Sequence, residues 1–105
     1  RNLPLPAGTG GAAWREAVSA TWLPALREFQ PQLVMISAGF DSHLEDDMGG
    51  FNLVERDYQW ITRELCQIAK EFSDGRVVSC LEGGYELSPL GRSVTTHIKE
   101  LAEFH

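Results

Sequence analysis

Three stretches of the chain repeat apolar residues at helical steps, and two shorter ones are apolar almost without interruption. Between Ala12 and Phe29, Trp14, Val18, Trp22, Ala25 and Phe29 form one stripe, which predicts an amphipathic helix. Pro24 is expected to kink or divide it, and Pro31 to end it. Val54, Tyr58, Ile61, Leu65, Ile68, Ala69 and Phe72 predict a second helix, with Glu55, Arg56, Arg63, Glu64 and Lys70 on its other face. Glu55 and Asp57 in its first turn suit the helix dipole, and Gly75 suits a left-handed position past its end. Leu90, Val94, His97, Ile98 and Leu101 stripe a last helix, with Ser88 predicted as its N-cap and Pro89 as its first residue. His97 is expected at the edge of that stripe. The continuous runs, Leu33–Ile36 and Val77–Leu81, predict short buried strands, the first covered on both faces as in a parallel sheet. Strand, helix and strand in this order make a βαβ unit, and hence an α/β fold. Residues 2–5 are read as the tail of a further strand.

Chemistry gathers where these strands end. The first opens through Ser37-Ala38-Gly39-Phe40 into a turn holding Asp41, His43, Glu45, Asp46 and Asp47. The second ends in Glu82-Gly83-Gly84-Tyr85. Open α/β sheets bind ligands beyond the carboxyl ends of their strands. Asp41 offers a hard anionic metal ligand, and the Tyr85 hydroxyl a donor to a developing oxyanion. Gly83 and Gly84 let the backbone approach a ligand closely. From the residues alone, this is a strand-end site with one candidate ligand and one candidate donor. The simpler alternative makes Asp41 a turn cap. A phosphate-binding Gly-Gly loop is disfavoured, because no Lys or Arg follows until Arg92.

Composition narrows the classes. A chain of 105 residues is one domain at most, and 43% apolar content suffices for a core. The formal net charge of −6 argues against binding nucleic acid or an anionic membrane surface. No apolar run approaches the ~20 residues of a membrane span. Cys66 and Cys80 form no CxxC pair and are read as free buried thiols of a reducing, cytoplasmic compartment. The chain begins with Arg1 rather than Met, so this start is read as not the native one.

Ile36-Ser-Ala-Gly-Phe-Asp-Ser-His43, followed by Asp46-Asp-Met-Gly-Gly50, resembles the Ser-Ala-Gly-Phe-Asp-Ala-His…Asp-Pro-Leu-Gly-Gly signature of zinc-dependent histone deacetylases and acetylpolyamine amidohydrolases. Leu81-Glu-Gly-Gly-Tyr85 is similar to that family's Leu-Glu-Gly-Gly-Tyr, in the form of its class II-like and bacterial branch. Residues 2–8 and Phe29-Gln30-Pro31 are similar as well. The resemblance implies part of a three-layer α/β/α domain with a parallel sheet, of arginase/deacetylase type. It implies Zn2+ as cofactor, with Asp41 the last of three ligands. Tyr85 would hydrogen-bond the substrate carbonyl and its oxyanion, Met48 would line the acyl-lysine tunnel, and Gly83 and Gly84 would form part of its wall. His43 and Asp46 would order the loop, Glu82 would orient its own loop, and Asp47 stands where the family has Pro. The implied reaction is hydrolysis of an acetyl-lysine or acetylpolyamine amide to free amine and acetate.

The family's paired histidines and Asp-x-His motif have no counterpart in residues 1–30. The chain is therefore read as the C-terminal portion of a deacetylase domain, inactive by itself. A non-catalytic acyl-amine-binding module is the alternative. A homo-oligomer is left open.

Overall fold

The computed structural model describes residues 1–104. In chain order these form α1 (Gly11–Ala20), α2 (Trp22–Phe29), β1 (Val34–Ala38), α3 (Glu55–Phe72), β2 (Val77–Leu81) and α4 (Leu87–Glu103). The fold is α/β. β1 and β2 pair in parallel, Val34 opposite Val77 through Ala38 opposite Leu81, with α3 as the connection between them.

The helix stripe between residues 12 and 29 is split, as Pro24 requires, but the break falls at Thr21. Proline removes the N–H that would bond the carbonyl four residues back and crowds that carbonyl. That carbonyl belongs to Ala20, so the helix ends one turn ahead of the proline itself. α3 keeps its expected ends. Asp57 fixes its start: the carboxylate accepts the Val54 N–H at 2.9 Å, while the Asp57 N–H donates to the Val54 carbonyl at 2.9 Å. The same carboxylate pairs with Arg15 and packs against Gly11, tying the start of α1 to that of α3. Past its end, Gly75 takes φ +75° and returns its N–H to the Ala69 carbonyl at 3.0 Å.

Two apolar clusters hold these pieces. Val18, Leu23 and Ile68 join α1, α2 and α3 with Leu3, Trp22 and Phe72 around them, while Ala38, Phe40, Leu53 and Tyr58 sit under the strand ends. Burying each such side chain contributes about 1.5–3 kcal/mol. The half-exposed Arg27–Glu64 pair at 3.9 Å contributes about 1 kcal/mol or less. Packing therefore decides how α2 lies on α3.

Five expectations need correction. β1 is not buried on both faces: Val34 and Ala38 are inside, but Met35 is 70% exposed. β2 is not a buried strand, with Val78, Ser79, Cys80 and Leu81 all exposed. The helices of this chain cover only the face carrying Val34, Ile36 and Ala38, so Cys80 is exposed while Cys66 is buried. α4 starts ahead of Ser88, with Glu86 at the N-cap and Pro89 within the first turn, where a missing N–H costs nothing. Residues 2–5 form no strand. The N-terminal segment pairs a little later, where Gly8 donates to the Gly50 carbonyl at 2.7 Å and Asn52 to that of Thr9 at 2.9 Å.

Candidate active site at the strand ends

The pairing of β1 with β2 continues past both strands. Glu82 donates to the Ala38 carbonyl at 2.9 Å, and Phe40 to that of Gly83 at 2.8 Å. The Phe40 ring turns inward onto Tyr58, with ring centres 5.0 Å apart. With Phe40 anchored, Asp41 leaves the sheet directly beside Gly83. A Cβ on Gly83 would stand 2.8 Å from the Asp41 carboxyl carbon, and one on Gly39 would stand 3.3 Å from Oδ1. The half-buried Asp41 carboxylate thus lies over a floor that only glycine leaves open. The following turn closes back on Asp41, with Gly49 against its carbonyl. Gly84, at φ +140°, packs on Leu90 and Phe40, and a Cβ there would stand 2.6 Å from Leu90 Cδ1.

Asp46 joins this turn to the loop after β2. Its Oδ1 accepts the Met48 N–H at 2.9 Å, and its Oδ2 accepts the N–H groups of Tyr85 at 2.8 Å and Glu86 at 3.2 Å. The Tyr85 and Met48 bonds hold its carboxyl below the ordinary carboxylate range, although its burial opposes them. The Met48 and Tyr85 side chains stand out from the surface, 71% and 61% exposed. Asp41, Gly83, Gly84, Met48 and Tyr85 therefore come together through their backbones at one end of the sheet. Glu82 is exposed beside them and orders its loop through its backbone.

His43 lies buried under the turn. Its Nδ1 accepts the Glu45 N–H at 3.0 Å, and its Nε2 pairs with Glu55. Burial raises the Glu55 carboxyl, but the hydrogen bond with His43 and the Arg92 charge outweigh it and hold Glu55 below its ordinary value. His43, Glu45 and Glu55 bring ligand atoms within 4.8 Å of one another. Arg92 already supplies the positive charge there, pairing with Glu45 and standing 3.7 Å from Glu55. This group braces the turn from below.

Tyr58 is a neighbour that sequence reasoning placed only on a helix stripe. Its hydroxyl is buried without a hydrogen-bond partner among the described residues, and burial together with the Asp41, Asp57 and Asp46 charges pushes its pKa far up. Tyr58 stays neutral. Its stripe position carried no signal of that setting. A cavity of about 310 Å³ lies beneath the turn, lined by Trp14, Ile36, Phe40, Phe51 and Tyr58, and none of the five expected site residues borders it.

The donor set tests the zinc expectation. A catalytic zinc takes three protein ligands. The Asp41 carboxylate is held over the glycine floor, while both nitrogens of His43 are engaged. A carboxylate so placed fits one ligand of such a set.

Comparison with known proteins settles the family. The histone deacetylase domain matches residues 1–101. The chain belongs to the histone deacetylase family. It is 37% identical over 102 residues to the type-2 histone deacetylase 1 of Dictyostelium discoideum, covering 97% of this chain and 7% of that protein. It is 38% identical over 86 residues to a probable deacetylase of Archaeoglobus fulgidus, covering 82% of this chain and 24% of that one. Among solved structures, the histone deacetylase Clr3 superposes with a TM-score of 0.83 at 32% identity, over 93% of this chain and 16% of Clr3. The chain thus spans a quarter or less of the length of these relatives. The α/β fold with its parallel strands is that of a histone deacetylase domain. Among the described residues, no helix is long and apolar enough to cross a membrane.

Proposed function

We propose that the protein carrying this chain is a zinc-dependent amide hydrolase, releasing acetate and a free amine from acetyl-lysine or an acetylpolyamine. The chain is then the C-terminal part of its deacetylase domain. The observation that carries this reading is the Asp41 carboxylate over the glycine floor, at the sheet end where Asp46 holds the Tyr85 backbone. Zinc, when bound, polarises an amide carbonyl and lowers the pKa of water.

The chain's own part has three components. Asp41 is one of the protein ligands and, being anionic, offsets the charge of the metal. Tyr85 donates its hydroxyl proton in a hydrogen bond to the substrate oxygen as negative charge builds there. Met48, beside it, forms one side of the entrance for the acyl chain, and Gly83 and Gly84 leave the floor open. Among the described residues, neither histidine is free to take a proton from water: His43 is engaged as described, and His97 lies buried between Thr62 and Ser79. On this reading the chain alone is inactive, and the proton acceptor is supplied from elsewhere in the whole protein.

The test is Tyr85→Phe in the complete protein. Removing one oxyanion donor costs about 100- to 1,000-fold in kcat. Because the group acts mainly in the transition state, KM should change little, and the exposed ring leaves fold and zinc content intact. Near-parental kcat with full zinc would make Tyr85 a surface residue and overturn the reading.

A further inference from the structure

Asp46 lies beyond the residues assigned a chemical role, yet its carboxylate contacts the backbone of two of them. It is 5% exposed, and all three of its hydrogen-bond donors are main-chain N–H groups, those of Met48, Tyr85 and Glu86. The loop from Glu82 to Glu86 has little else to fix it beyond its first residues. The Glu82 N–H and the Gly83 carbonyl pair with β1 and its continuation, and α4 begins only at Leu87. Gly84 at φ +140° gives the chain a conformation other residues rarely adopt, and Tyr85 follows it with its ring exposed. Asp46 is itself held firmly, because its N–H donates to the His43 carbonyl at 3.0 Å and His43 is braced by Glu55. A rigid chain of contacts therefore runs from α3 through Glu55, His43 and Asp46 to the backbone of Tyr85.

We propose that Asp46 is a positioning residue, which sets the place of Tyr85 relative to Asp41 and fixes Met48 on the facing side of the entrance. This inference rests on the reading of Asp41 as metal ligand and Tyr85 as oxyanion donor. The chemistry favours a carboxylate in this role. Asp accepts at both oxygens, whereas Asn must turn its NH2 group toward either the Met48 N–H or the Tyr85 and Glu86 N–H pair. An Asn therefore loses one side of the clamp. Misplacement of a catalytic group by about 1 Å costs about 100-fold in rate.

The experiment is a double-mutant cycle of Asp46→Asn and Tyr85→Phe in the complete protein, with zinc content and thermal unfolding measured for each variant. The expected result is a kcat about 10- to 100-fold lower for Asp46→Asn, with zinc retained and KM changed far less. In the Tyr85→Phe background, the same substitution should cost less than about threefold, because the group it positions is already gone. Full independence of the two effects would overturn the inference, as would an unchanged kcat in Asp46→Asn. If Asp46→Asn does not fold, Asp46→Glu replaces it. That variant keeps the charge and both acceptors but shifts them outward by one methylene, and the same lowered kcat and the same dependence on Tyr85 are expected. Failure of the functional reading looks different, since Tyr85→Phe alone would then leave kcat near the parental value.

Discussion

Asp46 and His97 each join separate parts of the fold through a buried polar side chain, one with charge and the other without. Asp46 draws three backbone N–H groups from two loops onto one carboxylate. His97 links α3, β2 and α4 as a neutral ring. The Thr62 hydroxyl spends its proton on the Tyr58 carbonyl at 2.6 Å, so it accepts from His97 Nδ1–H at 2.8 Å. Nε2 is then the acceptor for the Ser79 hydroxyl, also at 2.8 Å. The ring also meets Phe40 edge-on, with centres 5.7 Å apart. Loops have unpaired backbone donors to satisfy, and a carboxylate accepts several at once. Helices and strands satisfy their own backbones, so a neutral hydrogen-bonded ring suffices between them and avoids the cost of burying a charge. The charged contact belongs to the site; the neutral one belongs to the fold.

The site side of this contrast is most exposed to Gly83→Ala in the complete protein. Gly83 has an ordinary backbone conformation, so alanine strains nothing locally. Its Cβ, however, would stand 2.8 Å from the Asp41 carboxyl carbon and must displace it. We expect a loss of about 100-fold or more in kcat/KM with little change in Tm. Unfolding melts and steady-state kinetics on the same preparation check this. A variant with normal activity would mean that the Asp41 carboxylate need not lie where it does.

His97→Leu should do the reverse. It removes the partner of a buried hydroxyl at Thr62, and we expect about 1–3 kcal/mol less stability by denaturant unfolding, with kcat unchanged in the fraction that remains folded. A smaller effect of the same residue appears with pH. Burial holds its folded pKa below the ordinary value of 6.5, so the fold keeps it neutral while the unfolded chain takes up a proton. Its contribution is full above about pH 6.5 and is lost as pH falls through the lowered folded value. Asp46 and Glu100, whose carboxyls are held low by backbone bonds and by Arg63 with Gln59 respectively, withdraw their contributions only at more acid pH. Unfolding midpoints measured from pH 7.5 to 5 should fall for the parent and flatten in His97→Leu.

The difference between local and long-range contacts also decides how much the sequence discloses. α3 is legible to within a residue because its apolar stripe, acidic first turn and Gly75 all act within one segment. The two strands are legible as runs, but their exposure is not, since it depends on which face the helices cover. Pro24 announces a broken helix, yet the break sits where the proline's missing bond falls, one turn upstream. Ser88-Pro89 has the form of a helix start. The actual start lies nearer Asp46, whose bond to the Glu86 N–H no local pattern reveals. The strand-end motifs disclose Asp41, Gly83, Gly84, Met48 and Tyr85, and the structure gathers them at one place. The sequence also marks His43 and Asp46 as loop-ordering, while Glu55 and Arg92, which complete the brace, lie in helices with no motif to mark them. His97 was expected at a stripe edge and is instead 6% exposed, because hydroxyls on two other elements meet its ring.

We read Asp41 as a metal ligand rather than a turn cap. Among the described residues, its carboxylate receives no backbone N–H of the kind that Asp46 receives, which is the opposite of what a cap requires. The most direct measurement is the zinc content of the purified complete protein, parent against Asp41→Ala, by elemental analysis. Loss of an anionic ligand should leave the variant with a small fraction of the parental zinc, and without activity, while it remains folded. Parental zinc and parental activity in folded Asp41→Ala would contradict the claim.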